Sequence, residues 1–244
     1  MSDTAPDPSP VATRAAVLNG FGTAWRSVFA YVLLGNYIGI GALSYEFGFS
    51  LPWMVLSTLL IWAAPAQVIL ISTLTTATLL EVAIAVGLSS ARFLPMVAAL
   101  VPTLKHARTR QLDLLLPTHL TAISVWVEGM RLLPQMPRER RIPFYNGMGA
   151  GLLSSAVLGS IVGYYLAAKL PPLLATTLLF FTPMAILMST SRNSETLIDR
   201  LAFGLGLVVG PLLVAQKVKL DLMWTGFIAG TIAYAVHRLR EAMR

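Results

Sequence analysis

The chain has no cysteine, little charge and only three histidines. Without cysteine there are no disulfides, no thiolate metal sites and no cysteine nucleophile. His106, His119 and His237 are scattered and show no zinc-type ligand spacing. Charged residues make up 12% of the chain. A soluble domain carries about 25%, so roughly half the usual solvating surface is missing. No phosphate-binding loop occurs, and ATP-driven transport would require another subunit. Residues Met1 to Pro10 lack the basic and apolar regions of a signal peptide. Their Ser, Asp and Pro content reads as a disordered cytoplasmic tail, extending to residue 18.

What is present is apolar. Hydrophobic residues form 56% of the sequence, with a mean hydropathy of +0.71. They fall into eight runs near 24–45, 52–75, 79–102, 112–133, 144–168, 172–190, 197–215 and 221–238. Each is close to the ~20 residues that cross a bilayer core. The expected fold is therefore all-α, a polytopic integral membrane protein of the inner membrane, with residues 19–244 as one membrane domain. The net charge of +7 fits basic residues flanking membrane helices better than nucleic-acid binding. If all eight runs span, both termini are cytoplasmic and most arginines lie inside. The cluster Lys105, Arg108 and Arg110 then falls on the wrong side. One run is on that count a candidate re-entrant segment. The second, broken at Pro65, and the fourth, with Pro117, His119 and Glu128, are the suspects.

The stretch from Ile61 to Pro102 carries two interruptions. The first is Trp62-Ala63-Ala64-Pro65-Ala66-Gln67, the second Ser89-Ser90-Ala91-Arg92-Phe93-Leu94-Pro95. Proline inside a helix removes a backbone hydrogen bond. At membrane depth, freed backbone groups are tolerated where they face protein or a water-filled cavity, which is where many carriers bind substrate. Arg92 lies too deep in its run to snorkel, at a cost of roughly 2.5–3.5 kcal/mol on insertion scales. It is either a donor fork for a substrate carboxylate or a structural arginine satisfied by carbonyls of a neighbouring broken helix. The Gln67 amide could replace backbone bonds lost at the break or touch substrate. Ser90 is a polar contact or simply a small residue for helix packing.

Among the other polar groups, Glu81 fits a helix N-terminus and Glu128 a helix-spaced pair with Arg131. His119 changes charge near physiological pH and is the candidate for proton coupling; a buried neutral imidazole is the plainer role. An internal repeat is suggested, with halves 19–133 and 144–244. Asn19-Gly20-Phe21-Gly22 returns as Asn146-Gly147-Met148-Gly149, and Trp62-Ala63-Ala64-Pro65 is echoed by Phe180-Phe181-Thr182-Pro183. Pro183 would then face the first-half breaks. Gly87-Leu88-Ser89-Ser90-Ala91 is a poor serine-nucleophile loop, since no second glycine frames the serine, and an enzyme is not expected.

In these motifs the chain resembles the AzlC family, the large subunit of branched-chain amino acid exporters, as a divergent member. The resemblance covers about residues 19 to 240. It rests on Gly48-Phe49-Ser50, the Trp62-to-Gln67 pattern, Ser90-Ala91-Arg92-Phe93, Ser154-Ser155-Ala156-Val157-Leu158-Gly159 with Gly163, and Phe181-Thr182-Pro183-Met184-Ala185. The chain departs from the family pattern at Ser90, at Phe93 and at Thr121-Ala122-Ile123, where the family carries a Thr-Asp-Glu motif. The resemblance implies export of branched-chain or similar small hydrophobic amino acids, a small AzlD-like membrane partner and no cofactor. The substrate carboxylate is expected at Arg92, with Gln67, Pro65, Ser90 and Thr121 as polar or backbone neighbours. Trp62 and Phe93 would receive an aliphatic side chain, and Pro183 would close the site. The alternative is a divergent membrane subunit that carries another solute or supports another complex.

Overall fold

The computed structural model describes residues 10–74, 77–106, 109–169, 184, 187–188, 191, 196–216, 218 and 221–242. All regular structure among them is helical. Helices α1 (Pro10–Arg26) and α2 (Val28–Glu46) meet at Ser27, which is extended. The Ser27 amide and hydroxyl both bond the Ala24 carbonyl, at 3.0 and 2.7 Å, so the join is a fixed bend. α3 (Leu51–Ile61) and α4 (Ala64–Thr73) share the second apolar run. α5 (Leu79–Ser90) and α6 (Phe93–Leu104) share the third and are bent by 47°. The fourth run holds the short α7 (Leu115–His119) and α8 (Ile123–Leu132), flanked by 3₁₀ turns at Gln111–Leu114 and Leu133–Gln135. α9 (Arg138–Lys169) is the long axis of the assembly, and α10 (Leu197–Ala215) packs on α11 (Asp221–Ala242).

Glycines set how the first elements meet α9. A Cβ on Gly147 would run into the Val17 carbonyl, and one on Gly20 into that of Phe144. Further along, Gly163 abuts Ile38 and Gly41 abuts Ser160 in the same reciprocal way. Small residues let backbones approach this closely. Contacts advance together along both chains, so α1–α2 and α9 run parallel. This corrects the expected tail for residues 10–18: they are helix, with Ala16 buried and Val17 held against Gly147. The two Asn-Gly motifs thus lie in one crossing, whose close approach excludes any side chain at Gly20 and Gly147.

The polar contacts of α6 and α8 fix their direction. Trp126 Nε1 donates to the Met96 carbonyl at 3.0 Å. Arg141 Nη1 donates to the Thr103 carbonyl at 2.8 Å and its Nε to Met136 at 3.1 Å. The C-terminal ends of α6 and α8 therefore gather at the start of α9, although the two helices follow one another in the chain. At the other end, Tyr164 Oη donates to the Phe49 carbonyl at 2.9 Å and ties the start of α3 to the end of α9.

Three described helices are long and apolar enough to cross a membrane: α2, α9 and α10. The bent pair α5–α6 makes a fourth if counted as one span. The expected runs 52–75 and 112–133 are each split into two short helices. The sixth run, 172–190, lies almost wholly outside the described residues, and Pro183 with it. No α10 side chain is buried, and Leu94, Phe227 and Val208 stand exposed. Such an apolar exterior suits a hydrocarbon surround.

Candidate functional site

The first break is built around Trp62, which has φ 36° and ψ 45°. It is the only non-glycine residue with positive φ among the described residues. That conformation costs roughly 1–2 kcal/mol for a side chain with a Cβ. It persists because the indole is buried in one cluster with Leu120 and Ala122. Ala63 is extended, and Pro65 opens α4, where a missing N–H is harmless. The same missing N–H leaves the Ile61 carbonyl without its helical donor.

Gln67 is fully buried one turn into α4. Its Nε2 donates to Ser57 Oγ at 2.9 Å and to Thr58 Oγ1 at 2.8 Å. In a continuous helix these residues would lie about 13–15 Å apart along the axis, so the chain turns sharply back at the break. Two roles were open to the Gln67 amide, replacing lost backbone bonds or touching substrate, and the first is not what it does. It bonds two hydroxyls instead, and among the described residues its Oε1 has no partner. Ser57 and Thr58 were not anticipated as site residues; their one signal is a polar pair inside an apolar run.

The tip of the fourth run meets this break. His119 Nε2 lies 2.9 Å from the Leu59 carbonyl. That carbonyl's helical donor would be Ala63, which has left the helix. Leu59 accepts, so Nε2 carries a proton. His119 is exposed rather than buried. Thr121 is buried, and its Oγ1 donates to the Pro117 carbonyl at 2.8 Å. Its proton is spent there, so Tyr145 donates in their 3.2 Å contact.

The second break is separate. Pro95 cannot donate to the Ala91 carbonyl, which accepts from Leu94 at 3.1 Å in a tighter turn. Arg92 caps α6 with an exposed side chain and stacks on its own Phe93, 5.3 Å from the ring centroid. It makes no hydrogen bond or ion pair among the described residues, so the neighbouring-carbonyl role is not what it does here. Ser90 Oγ bonds the Val86 carbonyl at 2.9 Å. No hydrogen bond or ion pair joins Arg92 to Gln67 or His119. Away from both breaks, Glu81 forms a capping box with Thr78, and Glu128 pairs with Arg131 at 2.5 Å.

A family model described as AzlC protein matches residues 27–170, more than half of the 244-residue chain. The chain belongs to the AzlC family. Nothing among curated proteins or solved structures matches it. The AzlC match runs from the start of α2 to the end of α9, so both breaks and the His119 contact fall inside it. An AzlC chain is a transport-associated membrane protein. Among the described residues no group of three His, Cys, Asp or Glu side chains could hold a metal ion.

Proposed function

We propose that this AzlC chain is the large subunit of an inner-membrane secondary exporter of branched-chain or similar small hydrophobic amino acids, working with a small AzlD-like subunit. The observation that carries the reading is the meeting, at Leu59 and His119, of two segments that break within apolar runs of membrane depth. Exposed backbone at such depth is costly unless it serves protein or a water-filled cavity, and discontinuous helices are a recurrent way to bind a solute in a carrier.

The directions of the elements support a specific topology. α3 starts beside the far end of α9, through Tyr164 and Phe49, and the Gln67 bonds turn α4 back toward that end. α6 and α8 both finish beside Arg141 at the near end. Residues 51–73 and 111–135 then form two re-entrant hairpins entering from opposite sides, with α5–α6 as the one crossing between α2 and α9. A single crossing makes α2 and α9 parallel, as their packing requires. It also moves Lys105 and Arg110 to the side of Arg138, Arg140 and Arg141, which restores a consistent inside-positive bias.

Within this frame Arg92 binds the substrate carboxylate. An arginine at a helix bend without an ionic partner is a free donor fork. Phe93 and Ser90 flank it in the chain, and Trp62, Pro65, Gln67 and Thr121 of the first break would receive the rest of the substrate. His119 is the proton-coupling group. Its Nε2–H serves Leu59, which leaves Nδ1 as the atom that takes up a proton. The test is efflux of leucine, valine and methionine from preloaded cells supplied with the small subunit, comparing wild type with Arg92→Ala at matched membrane level. Efflux that falls at least tenfold in Arg92→Ala supports exporter and site together. Equal efflux in both removes Arg92, and none from wild type removes the exporter.

A further inference from the structure

We infer that Gln67 Oε1 is a binding atom for a cation, either an ammonium group that donates a hydrogen bond or a small monovalent metal ion that it coordinates. Proton bookkeeping carries the argument. Ser57 Oγ donates to the Met54 carbonyl at 2.8 Å and Thr58 Oγ1 donates to the same oxygen at 3.0 Å. Each hydroxyl has one proton, and both are spent. The two oxygens then face Gln67 as acceptors only, at 2.9 and 2.8 Å. Turned over, the amide carbonyl would accept from the two hydroxyls only at the expense of their bonds to Met54 and would leave Nε2 unpaired, so fewer hydrogen bonds would form. The network therefore favours the present orientation. The atom left over is an acceptor, fully buried and without a partner among the described residues.

The surroundings have the same sign. Gln67 reaches back to the last turns of α3, the end of a helix where carbonyls carry partial negative charge. Pro65 has no N–H to return to Ile61. His119 Nε2 at the tip is engaged by Leu59. An unpaired acceptor beside these carbonyls suits an ammonium or an alkali cation, which unwound helix ends coordinate in other carriers. A buried amide oxygen without any partner is costly, and such a ligand relieves that cost.

The assignment rests on the transport reading only for the route by which the ligand reaches the break. It is tested by binding, in the purified protein with its small subunit. Thermal unfolding is followed by tryptophan fluorescence, with choline chloride holding ionic strength constant. The probes are sodium chloride, leucine methyl ester (an ammonium without a carboxylate) and isovalerate (a carboxylate without an ammonium). The wild type is expected to gain thermal stability with sodium or with the ester and not through Gln67 with isovalerate. A sodium response identifies an ion site; an ester response in sodium-free buffer identifies a substrate-ammonium site. Gln67→Leu should weaken the responding probe at least tenfold. Gln67→Glu keeps the shape and places a negative charge at the break, and should retain or tighten binding. No response in wild type, or the same response in Gln67→Leu, overturns the inference and leaves a buried water as the partner. Efflux measured in parallel separates the two claims. Efflux with binding indifferent to Gln67 sinks the site alone, and Gln67-dependent binding without efflux sinks the exporter alone.

Discussion

His119 donates from Nε2 to the carbonyl oxygen of Leu59 across 2.9 Å, joining two helix breaks sixty residues apart in sequence. The bond repairs a carbonyl that lost its helical donor, so it has a structural duty whatever proton traffic passes through the ring. His119→Ala should cost about 0.5–1.5 kcal/mol, the usual net worth of one hydrogen bond, since both residues are exposed. Thermal unfolding in detergent measures it. His119→Gln, whose amide can donate to the same carbonyl, should recover most of that stability. If it also retains gradient-driven flux with unchanged pH dependence, His119 is a clasp and not a proton carrier.

Gly147 and Gly22 belong to the two copies of one four-residue motif and should respond oppositely to substitution. Gly147 touches the backbone of Val17, whereas nothing lies within 4 Å of a Cβ on Gly22. Gly147→Ala forces α1 and α9 apart, and overpacking of this kind costs typically about 1–3 kcal/mol. Gly22→Ala should be neutral or slightly stabilising, because alanine is the better helix former. Folded yield and melting temperature of the two variants check the crossing directly. Equal behaviour would mean that α1 does not lie against α9 as described.

A chain with no cysteine is a ready background for mapping sidedness with single cysteines. If all eight apolar runs crossed, Thr78→Cys would be labelled from the side of Arg138→Cys, and Lys105→Cys from the side of Gly48→Cys. Two opposed hairpins predict the reverse pairing: Thr78 with Gly48, and Lys105 with Arg138. A membrane-impermeant thiol reagent applied to intact cells and to inverted vesicles distinguishes the two patterns.

The sequence by itself determined the class, the family and where the helices break, because each is a local or cumulative property. Hydropathy sums over a run, and a proline removes its own N–H wherever the chain goes afterwards. The breaks before Pro65 and Pro95 and the suspicion over the second and fourth runs follow from that, and the place of Glu81 at a helix start follows from its charge. Only the tertiary structure decided the sense of each break. The second run turns back because Gln67 finds Ser57 and Thr58, whereas the third bends by 47° and continues, and no local signal separates these outcomes. The pairing of His119 with Leu59, the parallel course of α2 and α9, and the lack of any bond between Arg92 and Gln67's network likewise depend on contacts between residues far apart in the chain. Periodicity and spacing describe one helix at a time, so the sequence marked the candidate residues but not which of them meet.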